Sequence, residues 1–472
     1  MAEKLKPSRY NHFVLTEDDK CLAFNALSCG LAEFDKETYD KYKAFAEGLN
    51  NNNGDTDEEL LKNLKMGGFL IDEDVDELDG IRAGHYRMRF GNTGFGLTLI
   101  PTYNCNFACD YCYENSELHS MKPSEGSVMS DEVCGNIVKL CEKEIKEKSS
   151  FAVTWYGGEP LMAKHIIKKL SKEFIRICDE KESKYHAGII TNGYLLTKEN
   201  LDFLIDSRVT FAQVTIDGPK EIHDKRRCLK SGGGTYDQIM SNLSNIKEDT
   251  PLSVSIRVNV DKRNEKATPV LLEDLKSRGI HLHKKISMSF GQVFHVTGAC
   301  PDISTTCMVT PEFSNFLANT YKLALEMGFK QTSYPFRMLG NCGAVGSGSA
   351  LIEPNSNVQS CWETVGLENK RIGVLDSDGI KYEDNYLKWM GWTPFNEECT
   401  NCDILPICMS GCPYRSVYPE SQVSPSKCIS WKYNLSQVLP LMKVAQEKQL
   451  LSIPRGSCGI DKKNKSSQIS VD

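Results

Sequence analysis

Short apolar runs alternate with segments of helical periodicity through the middle of the chain, between residues 95 and 293. The apolar runs predict strands at residues 95–100, 151–156, 187–191, 211–216, 253–260 and 286–293. Between them, apolar residues spaced three or four apart predict helices at residues 131–146, 166–179, 198–205, 235–247 and 268–278. Strands that alternate with helices in this way indicate an α/β fold with a parallel barrel or sheet.

The first 94 residues have a different pattern, and we expect them to form a separate small unit. Alternating residues predict short strands at 9–16, 21–24 and 32–34, and helical spacing predicts helices at 36–48, 56–66 and 75–89. No cluster of residues with evident catalytic chemistry lies in this part. It is therefore expected to be either a binding module or a structural extension that covers the barrel.

The strand and helix alternation fades after residue 293. Helices are predicted at residues 310–327 and 433–450, with a cysteine-rich region between them. The last residues are polar and are predicted to be disordered. These patterns divide the chain into a small N-terminal unit at 1–94, an α/β domain at 95–310, a cysteine-rich domain at 311–460 and a disordered tail at 461–472.

Composition excludes several classes of protein. The 472 residues are too many for one ordinary core, and the net charge of −7 without a basic tract argues against nucleic acid as a partner. No apolar run is long enough to span a membrane. The N-terminus also lacks the apolar core of a signal peptide, so we expect a cytoplasmic protein.

The 19 cysteines are the clearest chemical signal. Cys105, Cys109 and Cys112 follow the first strand of the α/β domain at a C-x3-C-x2-C spacing, with Tyr111 just before the third thiol. Cysteine thiolates are the usual ligands of a [4Fe–4S] cluster, which takes four, so three thiols leave one iron open to a small molecule. The Tyr111 ring is suited to pack against such a ligand. A zinc site is the alternative, although zinc prefers four N or S ligands and no His lies nearby.

A second set of thiols lies in the C-terminal half. It consists of Cys342, Cys361, Cys399, Cys402, Cys408, Cys412 and Cys428. Seven thiols are too many for one [4Fe–4S] cluster and one short of two. Two zinc sites are the alternative, but the spacing is not that of paired C-x2-C zinc ribbons.

At the three-thiol loop the chain resembles the radical S-adenosylmethionine (SAM) superfamily. In that family the open iron chelates SAM, whose reductive cleavage gives a 5′-deoxyadenosyl radical. The sequence Gly157-Gly158-Glu159-Pro160 after the second strand resembles the family's GGEP motif, which meets the SAM amino group. The resemblance covers roughly residues 95 to 295 and implies a partial (β/α)6 barrel that is open on one side.

The resemblance also implies further SAM contacts. Thr215 would lie on the strand that contacts the ribose, and Arg227 matches the Arg that meets the SAM carboxylate after a His-Asp pair. Arg257 and Asn259 alternate on the fifth strand, so they face the same side. They are expected either to line the SAM pocket or to form a satisfied polar interior.

The C-terminal thiols resemble the SPASM extension of peptide-modifying radical SAM enzymes, which holds two auxiliary clusters. The resemblance assigns Cys399, Cys402, Cys408 and Cys428 to an outer cluster and Cys342, Cys361 and Cys412 to an inner one. The stretch 343–348, where some members have an eighth cysteine, contains no thiol. We therefore expect three [4Fe–4S] clusters in all, the inner auxiliary one with an open site.

The N-terminal unit resembles the winged-helix element by which many such enzymes bind a leader peptide. Together the resemblances imply an enzyme that matures a ribosomally made precursor peptide, with an external electron donor such as flavodoxin or ferredoxin. The open inner site favours a thioether between a peptide Cys sulfur and a carbon of another residue. Sulfatase maturation, carbon–carbon crosslinking and a non-enzymatic Fe–S electron carrier or sensor remain alternatives. No general acid or base is assigned.

Overall fold

The computed structural model describes residues 4–16, 18–48, 58–91, 94–112, 114, 118, 121, 126–294, 305–330, 333–419 and 427–451. The expected tail at 461–472 lies outside these residues, as does the predicted start of the second helix at residues 56 and 57.

Regular elements occur through most of the described chain. The strands are β1 (Leu5–Pro7), β2 (Asn11–Leu15), β3 (Cys21–Asn25), β4 (Leu31–Phe34), β5 (Leu70–Asp72), β6 (Phe95–Leu99), β7 (Ser150–Trp155), β8 (Lys184–Thr191), β9 (Val209–Thr215), β10 (Ser253–Val260), β11 (Ile286–Gln292), β12 (Ser349–Ile352), β13 (Asn357–Gln359), β14 (Gly373–Asp376) and β15 (Gly379–Tyr382). The helices are α1 (Lys36–Ala46), α2 (Glu58–Met66), α3 (Glu77–Phe90), α4 (Asp131–Glu144), α5 (Lys164–Glu180), α6 (Lys198–Asp206), α7 (Lys220–Arg226), α8 (Tyr236–Leu243), α9 (Thr268–Ser277), α10 (Thr310–Glu326), α11 (Asp384–Met390), α12 (Glu397–Thr400), α13 (Leu405–Cys408), α14 (Pro413–Val417) and α15 (Trp431–Glu447).

The centre of the molecule is one ten-stranded sheet with the order β11-β10-β9-β8-β7-β6-β12-β13-β14-β15. Strands β6 to β11 are parallel and stand in sequence order, because each helical connection returns the chain to the neighbouring position. These six strands are the six predicted from the apolar runs. The predicted α/β class with a parallel sheet is therefore confirmed.

The helices of this domain cover the sheet with apolar stripes. On α5, the buried residues Ile166, Ile167, Leu170, Phe174 and Ile177 recur at helical spacing and belong to the main hydrophobic core. Burying a side chain of this size contributes roughly 1.5–3 kcal/mol, so the stripe fixes the helix against the strands. None of the helices in the described residues is long and apolar enough to cross a membrane.

The C-terminal region adds strands that the sequence analysis did not predict. β12 pairs in parallel with β6, with Ala350 opposite Leu97, and β13 to β15 continue the sheet as antiparallel strands. The central sheet therefore extends across residue 310, the expected boundary between the second and third domains. These strands are only three or four residues long, too short for a clear periodic pattern.

The N-terminal residues form a three-stranded antiparallel sheet in the order β2-β3-β4, as predicted, beside an unpredicted antiparallel pair of β1 and β5. One side of this unit packs against the cysteine-rich region. Tyr10 and Phe24 share a hydrophobic cluster with Leu405, Met409 and Leu439. The unit thus contacts the C-terminal region through a buried apolar interface.

Candidate active site and cysteine groups

A cavity of about 380 Å³ opens at the carboxyl ends of the parallel strands. Its lining includes six of the seven residues predicted to contact SAM and all three thiols of the first cysteine motif; these are Tyr111, Gly157, Gly158, Thr215, Arg227, Arg257, Cys105, Cys109 and Cys112. Side chains from the loops after β6, β7, β8 and β9 converge there because the carboxyl ends of parallel strands share one edge of a sheet.

The loop from Cys105 to Cys112 is fixed by backbone hydrogen bonds to the segment after α7. The Ala108 N–H donates to the Cys228 carbonyl (2.9 Å), and the Asp110 N–H donates to the Arg226 carbonyl (3.2 Å). The Phe107 N–H points at the Cys105 sulfur, 3.4 Å away. The fold therefore holds this loop in place through bonds to its own backbone.

Burial controls the protonation of these thiols. It raises the pKa of Cys105 to about 12 and raises the pKa values of Cys109 and Cys112 above the ordinary thiol value. Cys109 adds to the shift of Cys105, and both add to the shift of Cys112. Because a metal ligand must be a thiolate, cluster binding here has to release protons. The three thiols are close enough to interact and dry enough to remain neutral without a cation.

The turn at Gly157 and Gly158, after β7, has no room for side chains. Gly157 has a φ of +115°, and a Cβ at Gly158 would lie 2.3 Å from the Tyr103 carbonyl oxygen. The Glu159 N–H donates to the Asn104 carbonyl (2.8 Å), so the turn lies directly against the start of the cysteine loop. Any larger residue at Gly158 would separate these two segments.

Glu159 itself does not line the cavity, although we expected it to bind SAM. Its carboxylate is completely buried and accepts hydrogen bonds from the Thr191 hydroxyl (2.8 Å), the Asn192 N–H (2.8 Å) and the Leu161 N–H (3.0 Å). The Asn192 side chain then donates to the side-chain oxygen of Asn106 in the cysteine loop (2.7 Å). The Glu159 side chain therefore ties the ends of β7 and β8 to this loop.

A hydrogen-bonded network orients Tyr111. Its hydroxyl donates to Asp217 and accepts from Arg227, and the Asn259 amide lies 3.3 Å from the same oxygen. Asp217 also accepts from the Asn259 N–H (2.9 Å), and the Arg226 guanidinium lies 5.0 Å from the centre of the Tyr111 ring. The ring is thus held between cationic groups and a buried carboxylate.

Arg227 has a donor without a partner. Its Nε is buried and makes no hydrogen bond within the described residues, while Nη1 donates to Tyr111. A buried unpaired donor of a cation costs roughly 1–3 kcal/mol or more, so the site is suited to an anion. This observation fits the expected contact between Arg227 and a SAM carboxylate.

Arg257 and Asn259 on β10, which were expected either to line the SAM pocket or to form a polar interior, both line the cavity. Arg257 donates from Nε to the Asn259 side-chain oxygen (3.1 Å), and it lies opposite Thr215 in the parallel register. No sequence pattern indicated that Gly291 is needed here. A Cβ at Gly291 would lie 1.5 Å from Arg257 Nη2, so this glycine provides the space for the guanidinium.

The C-terminal thiols fall into two groups. Cys342, Cys361 and Cys412 form one, which we call the inner group. Burial raises the pKa of Cys361 well above its usual range, and Glu363, Cys412 and Cys342 add to this shift, which groups the three thiols. Cys399, Cys402, Cys408 and Cys428 form the other, the outer group. Burial raises the pKa of Cys408 to about 11, and Cys428 and Cys402 add to this shift. Burial also raises the pKa of Cys428, with contributions from Cys402 and Cys399.

In the part of the chain that the structure describes, no group of three or more His, Cys, Asp or Glu side chains could hold a single metal ion. Ligands of a cuboidal cluster have a different requirement, because each thiolate binds a separate iron and the sulfurs need not converge on one point. The loop of three thiols, the inner group and the outer group each have the donor chemistry of such a cluster.

Residues next to the inner group line the same cavity. Trp362 and Glu363, which follow Cys361, line it, and the Trp362 ring lies 5.8 Å from that of Tyr156. Burial raises the pKa of Glu363 to about 7 against the opposing effect of Arg415, and its Oε2 has no hydrogen-bond partner among the described residues. No sequence motif identified Glu363, whereas Asn192 and Asp217 could be suspected because each follows a predicted strand.

Several known proteins are similar to this chain. A sequence model of the radical SAM superfamily matches residues 99–275. The radical SAM cyclopropyl synthase TigE of Paramaledivibacter caminithermalis is 23% identical over 455 residues, which cover 87% of this chain and 90% of TigE. The serine-type anaerobic sulfatase-maturating enzyme of Bacteroides thetaiotaomicron is 34% identical over 352 residues, or 66% of this chain and 80% of that enzyme.

Solved structures show the same fold. The structure of native anSMEcpe with bound AdoMet matches with a TM-score of 0.58 at 20% identity and covers 75% of this chain and 99% of that one. A further structure of anSMEcpe, with bound AdoMet and the Kp18Cys peptide, matches with the same TM-score.

Proposed function

The chain belongs to the radical SAM superfamily, and from this premise we propose that it matures a ribosomally made precursor peptide by joining a Cys sulfur to a carbon of another residue. The observation that carries the proposal is the inner group, which has three thiols and whose neighbours Trp362 and Glu363 line the cavity where SAM would bind. A [4Fe–4S] cluster takes four ligands, so this group leaves one position for a thiolate of the peptide.

The residues present suit the groups that this chemistry needs. Cys105, Cys109 and Cys112 would hold the cluster that binds SAM, and the inner and outer groups would hold two auxiliary clusters. When bound, these groups supply a 5′-deoxyadenosyl radical and an acceptor for one electron. For thioether formation, the hydrogen atom leaves the peptide carbon as 5′-deoxyadenosine forms, the thiol proton goes to solvent and the remaining electron goes to the acceptor.

The chain itself positions and encloses the reactants. Arg227, which lines the cavity, would take the SAM carboxylate, and the glycine turn at 157–158 lets the backbone approach the SAM amino group closely. The network through Asp217 holds Tyr111 so that its ring can pack against SAM. Thr215 and Arg257 line the same cavity and would complete the site around the nucleoside.

The N-terminal sheet of β2, β3 and β4 would bind the leader of the precursor peptide. β4 pairs with β3 on one side only in the described residues, so its outer edge can accept an added strand. In this proposal residues 1–94 recognise the leader, 95–310 hold SAM, and 311–460 form a SPASM domain with the auxiliary clusters. Flavodoxin or ferredoxin would supply the electron that starts each turnover.

A carbon–carbon bond within the peptide is the second candidate. The observation in its favour is that the match to TigE, a cyclopropyl synthase, covers 87% of this chain. Sulfatase maturation ranks below both, although the serine-type relative has the higher identity, because its match covers only 66% of this chain.

Mass spectrometry of the product tests the proposal. Anaerobically reconstituted protein is incubated with SAM, dithionite and a candidate Cys-containing precursor peptide encoded beside its gene. Both bond types remove two hydrogen atoms, but only a thioether blocks alkylation of the Cys by iodoacetamide. A product that loses two hydrogens and still alkylates favours the carbon–carbon candidate, and the absence of 5′-deoxyadenosine from fully loaded protein refutes both.

A further inference from the structure

Two hydrogen-bond donors lie against sulfurs of the outer group. The Lys432 ammonium, in the first turn of α15, is 3.4 Å from the Cys402 sulfur and 3.8 Å from the Asp403 carboxylate. The Ser410 hydroxyl is 3.3 Å from the Cys399 sulfur. Once the thiols are deprotonated to bind iron, the hydroxyl can only donate to that sulfur, and the ammonium already does so.

The backbone holds Ser410 in this place at a cost. Met409, Ser410 and Gly411 all have positive φ angles, of 47°, 64° and 69°. Residues other than glycine adopt such angles rarely, and they persist where the surrounding structure over-determines them. Here the Asn341 side chain donates to the carbonyls of Met409 (2.6 Å) and Gly411 (3.1 Å), and Ser410 is buried.

We propose that Lys432, assisted by Ser410, raises the reduction potential of the cluster held by the outer group. Reduction adds a negative charge to the cluster, and a fixed cation and donors to its sulfurs stabilise the more negative form. The inference rests on the proposed function for the existence of this cluster. Lys432 is therefore a positioning residue. Its ammonium contacts the Cys402 sulfur, and its positive charge acts on the iron through that sulfur.

The test is a potentiometric titration followed by EPR on reconstituted protein. Replacing Cys105, Cys109 and Cys112 by Ala in every sample leaves only the two auxiliary signals. Lys432→Met should lower the reduced-to-oxidised ratio of one signal about tenfold at a fixed potential, a shift of about 59 mV for one electron. Lys432→Arg should retain most of the wild-type value, and Ser410→Gly, which tolerates the positive φ, should shift the same signal less.

Lys443→Met is the matched control, because Lys443 lies on the same helix and pairs only with Glu33 and Glu447 among the described residues. Equal titrations for wild type and Lys432→Met at equal iron content overturn the inference and leave the proposed function intact. A Lys443→Met shift as large as that of Lys432→Met also overturns it. If Cys399→Ala with Cys402→Ala removes no iron, the outer cluster is absent, and both the inference and that part of the proposed function fail.

Discussion

Arg89 offers the sharpest test of how the N-terminal unit is joined to the inner group. This residue of α3 is buried, at 3% exposed, and has no carboxylate partner among the residues that the structure describes. Its guanidinium donates to four carbonyl oxygens, those of Val345 (2.6 Å), Trp392 (2.5 Å), Trp389 (2.8 Å) and Met390 (2.9 Å). The first of these carbonyls lies only three residues after Cys342, so replacing Arg89 by Met should disturb both stability and the inner group.

The expected loss of stability in the Arg89→Met variant follows from two opposing effects. A hydrogen bond to a charged group contributes roughly 1.5–3 kcal/mol, so four bonds contribute at least about 6 kcal/mol. Burying a guanidinium without an anion costs several kcal/mol, and burial lowers the Arg89 pKa accordingly. The net loss on replacement should be about 3–5 kcal/mol, because four buried carbonyls remain unsatisfied.

Urea unfolding of the metal-free protein measures the loss, and iron analysis after reconstitution measures the consequence for the inner group. Arg82→Met is the control, since Arg82 lies on the same helix and is 42% exposed. Its one ion pair in the described chain is with Asp79 (3.1 Å), and its guanidinium lies 5.8 Å from the centre of the Phe395 ring. Exposed ion pairs contribute roughly 0–1 kcal/mol, so this variant should resemble wild type. If Arg89→Met unfolds within about 1 kcal/mol of wild type and binds the same iron, the reasoning is wrong.

Three further predictions concern the α/β domain. Arg227→Met should weaken SAM binding to reconstituted protein about 30-fold by equilibrium dialysis, the value of about 2 kcal/mol for a charged hydrogen bond, and an unchanged affinity would contradict the assigned contact. Gly158→Ala should lower the urea midpoint because its Cβ would overlap the Tyr103 carbonyl, whereas Gly80→Ala, in open space on α3, should raise it by the equivalent of about 0.5–1 kcal/mol. Burial lowers the pKa of His223 to about 3, so the unfolded state binds more protons below pH 6.5, and stability should fall by up to about 1.4 kcal/mol per pH unit from 6.5 downward. A His223→Gln variant that keeps the full wild-type slope between pH 5 and 6.5 would show that another group is responsible.

The parallel sheet could be predicted because its strands carry their own signal. In β10 the buried residues Val254, Ile256, Val258 and Val260 alternate with polar residues, and the observed bounds equal the predicted ones. Strand β12 carries no such signal, since four residues of suitable composition occur in many places. Its pairing with β6 joins segments about 250 residues apart, and tertiary context decides such pairing.

Site residues could be predicted where the chemistry requires one residue type. They could not be predicted where the role of a side chain depends on which other residue the fold brings next to it. The cysteines and glycines fall into the first class, because thiolates bind iron and only glycine fits the turn beside Tyr103. Glu159 falls into the second. Its carboxylate accepts hydrogen bonds from Thr191 and Asn192, which are more than 30 positions away in the sequence. Only the fold shows that these donors, and not a ligand, occupy the carboxylate.

The most consequential fact beyond the reach of sequence is that the cavity lined by the first cysteine motif is also lined by the residues that follow Cys361. Cys112 and Cys361 are 249 positions apart, yet burial and proximity make both contribute to raising the pKa of Tyr156, which lines the cavity between their loops. Under the proposed function, a peptide residue held there could lose its hydrogen to the SAM side and form its bond at the inner group without leaving the cavity. A carbon radical that stays enclosed meets its bonding partner before water or the protein, so the shared cavity favours bond formation over quenching.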